Sequence, residues 1–133
     1  MLAVAENKIR RRNLQNITLR RMDATHMDFG DGEFDIVMIS FALHELEHEL
    51  MMRILREMNR VVRDKGSLYV IDYDQLDSFF KKIIFSIYLK LFEPPHMPQF
   101  LNYDWRDLLR KAGFKVEGIE KHIFSKLIFA RKT

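Results

Sequence analysis

Cysteine is missing from the sequence, and its 133 residues include only 5 glycines and 3 prolines. Without cysteine the chain has no disulfide framework, no zinc–thiolate site and no catalytic thiol. It also lacks a long apolar run, because residues 83–92 are interrupted by Lys90 and fall well short of the ~20 residues that span a bilayer. The N-terminus places apolar residues before basic ones, the reverse of a secretory signal. We therefore expect a cytoplasmic protein with no transmembrane segment.

The sequence also lacks a large excess of charge of either sign. The 22 basic and 19 acidic residues give a net charge of +3, and 47% of the residues are hydrophobic. Basic clusters such as Arg10, Arg11 and Arg12 lack the interleaved aromatic residues of a nucleic-acid groove. The sequence predicts one ordinary domain with solvated charged faces and no nucleic-acid partner.

The apolar pattern alternates between helical and strand periods, which predicts an α/β fold. A helix is expected from Leu2 to Asn13, then a half-buried strand at residues 17–22 and a turn at 28–32. Residues 34–41 form an apolar run typical of a strand covered on both faces in a parallel sheet. A long helix is expected to begin at Leu43, followed by a buried strand at residues 67–73.

The C-terminal half begins with an unusually aromatic segment of helical period, residues 79–92, followed by a proline-broken connection. Such a segment is typical of a lid or a substrate-facing region. Asp104 is expected to cap a helix that ends at Gly113. Two strands, near residues 115–119 and 126–130, are expected to complete the chain.

One motif, His44-Glu45-Leu46-Glu47-His48, satisfies H-E-x-x-H. On a helix this spacing places two imidazoles on one face to bind zinc, with the glutamate as base. Met51 and Ile54 stand where the metzincin glycine and third histidine belong, and no third ligand is evident. We favour the interpretation that these are ordinary polar residues at the start of a helix, and we predict no metal ligand. A zinc hydrolase stays an alternative.

The sequence contains no glycine-rich phosphate loop, since Gly30 and Gly32 precede a strand rather than a helix. Ligands of open α/β sheets bind outside the carboxyl ends of the strands. Four segments qualify: Asp23-Ala24-Thr25, Ser40-Phe41 leading to His44, Asp72-Tyr73-Asp74, and residues 92–103. An acidic residue at such an end can accept from an amino or hydroxyl group, or it can cap a helix.

Segments along nearly the whole chain resemble the class I S-adenosylmethionine-dependent methyltransferases, in the type 11 subgroup that includes quinone-biosynthesis C-methyltransferases. MLAVAENKI resembles the helix after the family's second strand, and NITLRRMDATHMDFGDGEFDIVMISFALHEL resembles its third and fourth strands. ILREMNRVVRDKGSLYVIDY resembles the block that leads into the fifth strand. WRDLLRKAGFKVEGIE and FSKLIFARK resemble the closing helix and strands.

The resemblance implies a Rossmann-like sheet, with residues 1–133 forming one partial methyltransferase domain and about 76–103 forming a variable segment that faces the substrate. It implies S-adenosylmethionine as cofactor and a small hydrophobic acceptor such as a quinone or lipid. His44 is the candidate base. The residues that the resemblance places around the cofactor are Leu2, Asp23, Ala24 and Thr25 at the adenine end, and Ser40, Phe41 and His44 at the methionine end.

The family's first strand, its glycine-rich loop and the acidic end of its second strand would precede Met1. We therefore expect an N-terminally truncated sheet whose 34–41 strand presents an apolar edge. An exposed edge invites pairing, which predicts a homodimer or a strand-exchanged oligomer. A non-catalytic interaction module, or one half of a split methyltransferase, stays an alternative.

Overall fold

The computed structural model describes residues 2–74 and 97–133. Their order of elements confirms the α/β class. The elements are α1 (Leu2–Arg11), β1 (Phe34–Ser40), a 3₁₀ turn (Leu43–Glu45), α2 (His48–Val61), β2 (Val62–Tyr73), α3 (Met97–Leu101), α4 (Trp105–Lys111), β3 (Phe114–Lys121) and β4 (Ser125–Lys132).

The four strands form one sheet in the order β1-β2-β4-β3. β1 and β2 are parallel and are joined through α2, whereas β4 runs antiparallel to both of its neighbours. Tyr73, at the end of β2, lies opposite Ser125, at the start of β4. The carboxyl ends of β1 and β2 and the start of β4 therefore meet at one edge, which we call the carboxyl edge.

The core lies between the sheet and the helices α2 and α4. Helix α2 contributes the apolar stripe that its sequence predicts, because residues three and four apart share one face. β2 and β4 contribute alternate residues from the facing side of the sheet. The largest fully buried side chains include Met51, Leu55, Leu68, Phe100, Leu109, Phe114 and Ile128.

The strand expected at residues 17–22 does not form, and this prediction was wrong. The segment is an extended chain outside the sheet, followed by an isolated bridge between Asp23 and His26. Its alternating pattern fits a strand, but a strand needs hydrogen-bonded neighbours, which the pattern of one segment cannot supply.

The helix expected from Leu43 begins instead at His48. Leu46 and Glu47 adopt extended backbone conformations, with ψ of 145° and 151°, so the 3₁₀ turn and α2 are separate elements. β2 begins at Val62 rather than at residue 67. At Gly66 a Cβ would lie 2.6 Å from Val62 Cγ2 and 2.9 Å from the carbonyl oxygen of Asp35, so β1 packs against a position that only glycine fits.

Other expected features are confirmed. Helix α1 ends at a left-handed Asn13, with φ of 50°. The Asp104 side chain accepts from the backbone N–H groups of Arg106 and Asp107, and Gly113 ends the turn after α4 with φ of +86°. β3 and β4 form the two final strands. The aromatic segment 79–92 lies outside the described residues, as does most of 76–103.

Among the described residues, β1 is an edge strand with one covered face. Val37 and Ile39 pack against the core, whereas Ile36 and Met38 are 58% and 64% exposed. The expectation that this strand is covered on both faces was therefore wrong. Within residues 2–74 and 97–133, no helix combines the length and apolar character needed to cross a membrane.

Candidate functional site

A buried histidine–carboxylate pair lies at the carboxyl edge of the sheet. His44 follows β1 in the 3₁₀ turn, Asp72 lies near the end of β2, and both are buried. Nδ1 of His44 lies 2.7 Å from Oδ1 of Asp72. The pair forms because β1 and β2 run parallel and side by side, so their carboxyl ends bring residues from distant parts of the sequence together.

Backbone groups hold the carboxylate in place. Asp72 Oδ1 also accepts from the N–H of Tyr73, and Oδ2 accepts from the N–H of Leu43. Both oxygens of Asp72 thus act as acceptors, and an Nδ1–H of His44 fits the same set of bonds. In the neutral tautomer with its proton on Nδ1, Nε2 of His44 carries the lone pair.

Aromatic rings surround this pair. The ring of Tyr73 makes edge contacts with His44 and Phe41, at centroid distances of 4.7 Å and 5.3 Å. Phe41 is 48% exposed and has φ of 47°, an unusual conformation for a non-glycine residue, just after β1. Strained residues of this kind concentrate at functional sites. Ser40, the last residue of β1, is exposed beside Phe41.

The second predicted cluster forms a tight turn. Asp23 Oδ1 accepts from both the N–H and the Oγ1 hydroxyl of Thr25, at 2.8 Å each, and these bonds lower the pKa of Asp23. Ala24, between them, is exposed. An ionised carboxylate and an exposed small residue in one fixed turn suit the recognition of a polar heterocycle edge.

Helix α2 anchors the chain that follows this turn. Glu57 Oε1 accepts from the N–H of Met27 at 2.7 Å, and Arg60 donates to the carbonyl oxygens of Met27 and Phe29. Arg60 also binds Glu57 and Asp31. The Arg60 guanidinium lowers the pKa of Glu57 to about 2. We call Glu57 and Arg60 the loop clamp.

The H-E-x-x-H geometry does not form. His44 and His48 lie on separate elements, and His48 Nδ1 lies 3.2 Å from the hydroxyl of Tyr103 rather than beside His44. Among the described residues, no three histidine or carboxylate side chains gather as a metal-binding group. Gly30 and Gly32 lie in a turn in which the N–H of Gly32 donates to the carbonyl oxygen of Arg60 and the N–H of Gly30 donates to the Glu33 carboxylate.

The structure therefore brings together Phe41 and His44 through Tyr73 and places Ser40 beside them. Asp23, Ala24 and Thr25 form a separate turn, and α2 anchors the chain that follows it. Leu2, in α1, is exposed. Sequence reasoning marked Asp72 as a strand-end carboxylate but missed its pairing with His44. It also missed the loop clamp, because the three-residue step from Glu57 to Arg60 along one helix face looks the same in sequence as a surface ion pair.

The chain matches known methyltransferases in sequence. Residues 1–66 match a family described as a methyltransferase domain. An uncharacterized methyltransferase of Synechocystis sp. is 32% identical over 77% of this chain and 47% of its own length. A demethylmenaquinone methyltransferase of Geobacillus sp. is 32% identical over 93% of this chain and 60% of its own length. The chain thus spans about half the length of these curated relatives.

Solved structures show the same fold. A SAM-dependent methyltransferase from Aquifex aeolicus has a TM-score of 0.69 at 20% identity, with 97% of this chain and 62% of that chain covered. The trans-methyltransferase CalH, solved in complex with SAH, has a TM-score of 0.69 at 19% identity and covers 99% of this chain and 40% of its own. By its sequence matches and its fold, the chain belongs to the class I S-adenosylmethionine-dependent methyltransferases.

Proposed function

We propose that this chain takes part in methyl transfer from S-adenosylmethionine to a small hydrophobic acceptor of quinone type. Family membership supports the reaction class. The name of the Geobacillus relative, a demethylmenaquinone methyltransferase, supports the acceptor class. The observation that carries the proposal is the buried His44–Asp72 pair beside the exposed ring of Phe41 at the carboxyl edge.

The residues at this edge fit the methionine end of the cofactor. S-adenosylmethionine supplies an activated methyl group on a sulfonium centre. The exposed face of Phe41 suits such a cation, because aromatic rings attract onium groups. Ser40 offers a hydroxyl, and the turn of Asp23, Ala24 and Thr25 offers polar groups for the adenine. Leu2 would pack on the adenine from α1.

In this proposal His44 is the base and Asp72 orients it. The acceptor carbon forms a bond to the methyl carbon, the carbon–sulfur bond breaks with its electron pair on sulfur, and the proton that the acceptor loses goes to Nε2 of His44. Asp72 keeps the other ring proton on Nδ1 and stabilises the imidazolium that forms. Methyl transfer otherwise needs mainly orientation of the two reactants.

Calorimetric titration with S-adenosylmethionine and S-adenosylhomocysteine tests the first step. We expect micromolar binding to one of the two, and weaker binding in Phe41→Ala. His122→Gln, which changes a residue outside the site, is the matched control. An absence of heat up to millimolar ligand would overturn cofactor binding by this chain and favour an interaction module.

A reduced naphthoquinone without its ring methyl group tests the reaction. We expect mass spectrometry to detect one added methyl group in the presence of S-adenosylmethionine. His44→Gln is expected to lower the rate by ~100-fold or more, the usual contribution of a general base. An unchanged rate in a folded His44→Gln protein would remove His44 from the mechanism.

We further propose that β1 pairs with the same strand of a second copy. Among the described residues, its outer edge has no hydrogen-bonded neighbour, and Ile36 and Met38 expose apolar surface beside that edge. Unpaired apolar edges favour strand-to-strand association.

A further inference from the structure

A cleft opens at the carboxyl edge, and its lining includes neither Phe41 nor the Asp23 turn. It has a volume of about 370 Å³, within the usual range for small-molecule sites. It lies where α3 and α4 meet the start of β4 and the end of β3. The lining includes side chains that can bind a ligand through charge, hydrogen bonds or ring contacts, among them Asp74, Tyr103, Trp105, Arg106, Lys121 and Lys126. We call it the lysine cleft.

Two lysines share one carboxylate in this cleft. Lys126 is only 4% exposed, and its Nζ lies 3.2 Å from Oδ1 of Asp74. Lys121 Nζ lies 3.3 Å from Oδ2 of the same residue. Burial lowers the pKa of Lys126, and Asp74 opposes that shift. Among the described residues, Asp74 thus contacts both lysines. Asp72 also attracts Lys126, but its oxygens are engaged by His44 and by the N–H groups of Leu43 and Tyr73.

The other charged side chains that line the cleft are Asp104 and Arg106. The Asp104 carboxylate accepts from two backbone N–H groups at the start of α4, so it faces the helix. Arg106 adds a third cation, whose Nη1 donates to the carbonyl oxygen of Val116. Burial raises the pKa of the Tyr103 phenol, so this group stays neutral. Among the described residues that line the cleft, three cations therefore face two carboxylates, Asp74 and Asp104.

Aromatic rings form the walls of the cleft. Lys126 Nζ lies 5.1 Å from the ring centroid of Trp105. The indole N–H of Trp105 is buried and has no hydrogen-bond partner in the part of the chain that the structure describes. Tyr103 is fixed by its contact with His48. Flat rings, together with one indole N–H that has no partner among the described residues, suit a flat ligand that carries acceptor atoms.

Phe100 links the lysine cleft to the proposed base. Its ring lies 6.1 Å from that of His44, 6.3 Å from that of Tyr103 and 5.2 Å from that of Trp105, measured between centroids. A ligand in the cleft would therefore lie one aromatic ring away from the His44–Asp72 pair. This distance is compatible with a bicyclic ligand that extends from the lysines toward the reacting centre.

We infer that the lysine cleft binds a planar aromatic anion, a carboxylate or a phenolate, and that this anion is the methyl acceptor. The lysines select the negative charge, and Trp105 and Tyr103 select the flat ring. The acceptor assignment rests on the proposed methyl transfer, whereas anion binding by the cleft does not.

Trp105 is the only tryptophan of the chain, so its indole N–H gives a single side-chain signal in a ¹H–¹⁵N NMR spectrum. The probes are 2-naphthoate and its neutral isostere 2-naphthamide, each titrated into the whole chain with and without S-adenosylhomocysteine. We expect 2-naphthoate to shift the Trp105 signal and to bind at least ~10-fold more tightly than 2-naphthamide, as a charge-assisted hydrogen bond implies.

Two variants test whether a loss of 2-naphthoate binding comes from the lost charge or from a change in the fold. Lys126→Met is expected to weaken 2-naphthoate binding at least ~10-fold and to leave 2-naphthamide binding unchanged. Lys121→Ala, at an exposed position, is expected to weaken 2-naphthoate binding by a smaller factor while the fold stays intact. Lys115→Ala, on the same strand β3 but outside the cleft, is the matched control and should behave as the unmodified chain.

Equal affinity for the two probes, or an unmoved Trp105 signal at millimolar 2-naphthoate, would overturn the inference. If S-adenosylhomocysteine binds and 2-naphthoate does not, the inference fails and the proposed function stands. If 2-naphthoate binds with this pattern and S-adenosylhomocysteine does not bind, anion binding by the cleft is supported and the proposed function fails.

Discussion

The Asp72 carboxylate joins two segments, the end of β2 and the 3₁₀ turn, because it contacts Nδ1 of His44 and accepts from the N–H groups of Leu43 and Tyr73. In Asp72→Asn the amide can turn its NH₂ toward Nδ1 of His44 and so favour the tautomer with the proton on Nε2. That tautomer cannot accept a proton from the acceptor. We expect the turnover number to fall at least ~10-fold, with cofactor affinity nearly unchanged.

The contrast between turnover and cofactor affinity distinguishes this role from a structural one, because a distorted site would lose both. If a folded Asp72→Asn protein keeps the turnover number of the unmodified chain, Asp72 does not orient a base.

The loop clamp predicts a pH-dependent stability. The pKa of Glu57 falls from 4.5 to about 2 on folding, so its contribution to the free energy of unfolding is complete above pH 4.5 and is lost as the pH falls through 2. Glu57→Gln should lower the free energy of unfolding by about 2 kcal/mol at neutral pH, the usual size for a hydrogen bond to a charged group. Urea unfolding at pH 6 and pH 3 should show the difference from the unmodified chain shrinking at the lower pH. Glu49→Gln, exposed on the same helix, should show little effect at either pH.

At the scale of single elements, α4 depends on its first residue. Asp104 accepts from two backbone N–H groups, whereas Asp107, one turn later, makes exposed ion pairs with Arg110 and Lys111. Asp104→Ala should destabilise the protein by about 1 kcal/mol, because the cap is lost. Asp107→Ala should have less than half of that effect, since exposed pairs contribute little. Equal losses in urea unfolding would contradict the capping role.

The elements that the sequence predicts correctly are those with local signals. Helix α4 has a capping aspartate at one end and Gly113 at the other, and α2 has an apolar stripe along its length. Two of the errors have non-local causes. Residues 17–22 alternate like a strand but lack a paired neighbour among the described residues, and residues 46–47 leave the helical conformation where His44 turns toward Asp72.

The candidate site was only half predictable for a related reason. His44 and Asp72 are each at a strand end, which composition reveals, but they are 28 residues apart and meet only because β1 and β2 lie side by side. The lysine cleft is harder still. Asp74 and Lys126 are 52 residues apart in the sequence, and neither belongs to a motif.

At the scale of the whole molecule, the outer edge of β1 has no hydrogen-bonded neighbour among the described residues, and it is the proposed site of association. If two copies pair there, Ile36→Lys combined with Met38→Lys should convert a dimer into a monomer, because like charges would face each other across the new strand pair. Light scattering over a wide concentration range measures this directly. Ile123→Lys, an exposed apolar residue in the loop before β4, is the control and should keep the dimer. A monomeric mass for the unmodified chain at every concentration would exclude the pairing.

β2 is paired on both sides along residues 67–71, with β1 on one side and β4 on the other. Backbone amides flanked in this way exchange with deuterium only when a large part of the structure opens. We therefore expect amide exchange to be slowest in this stretch and fastest at the outer edge of β1. Asp72 follows this stretch directly. The carboxylate that contacts His44 is therefore attached to the segment whose amides we expect to exchange most slowly among the described residues. Local fluctuations that loosen the surrounding loops would leave the orientation of His44 intact over many turnovers.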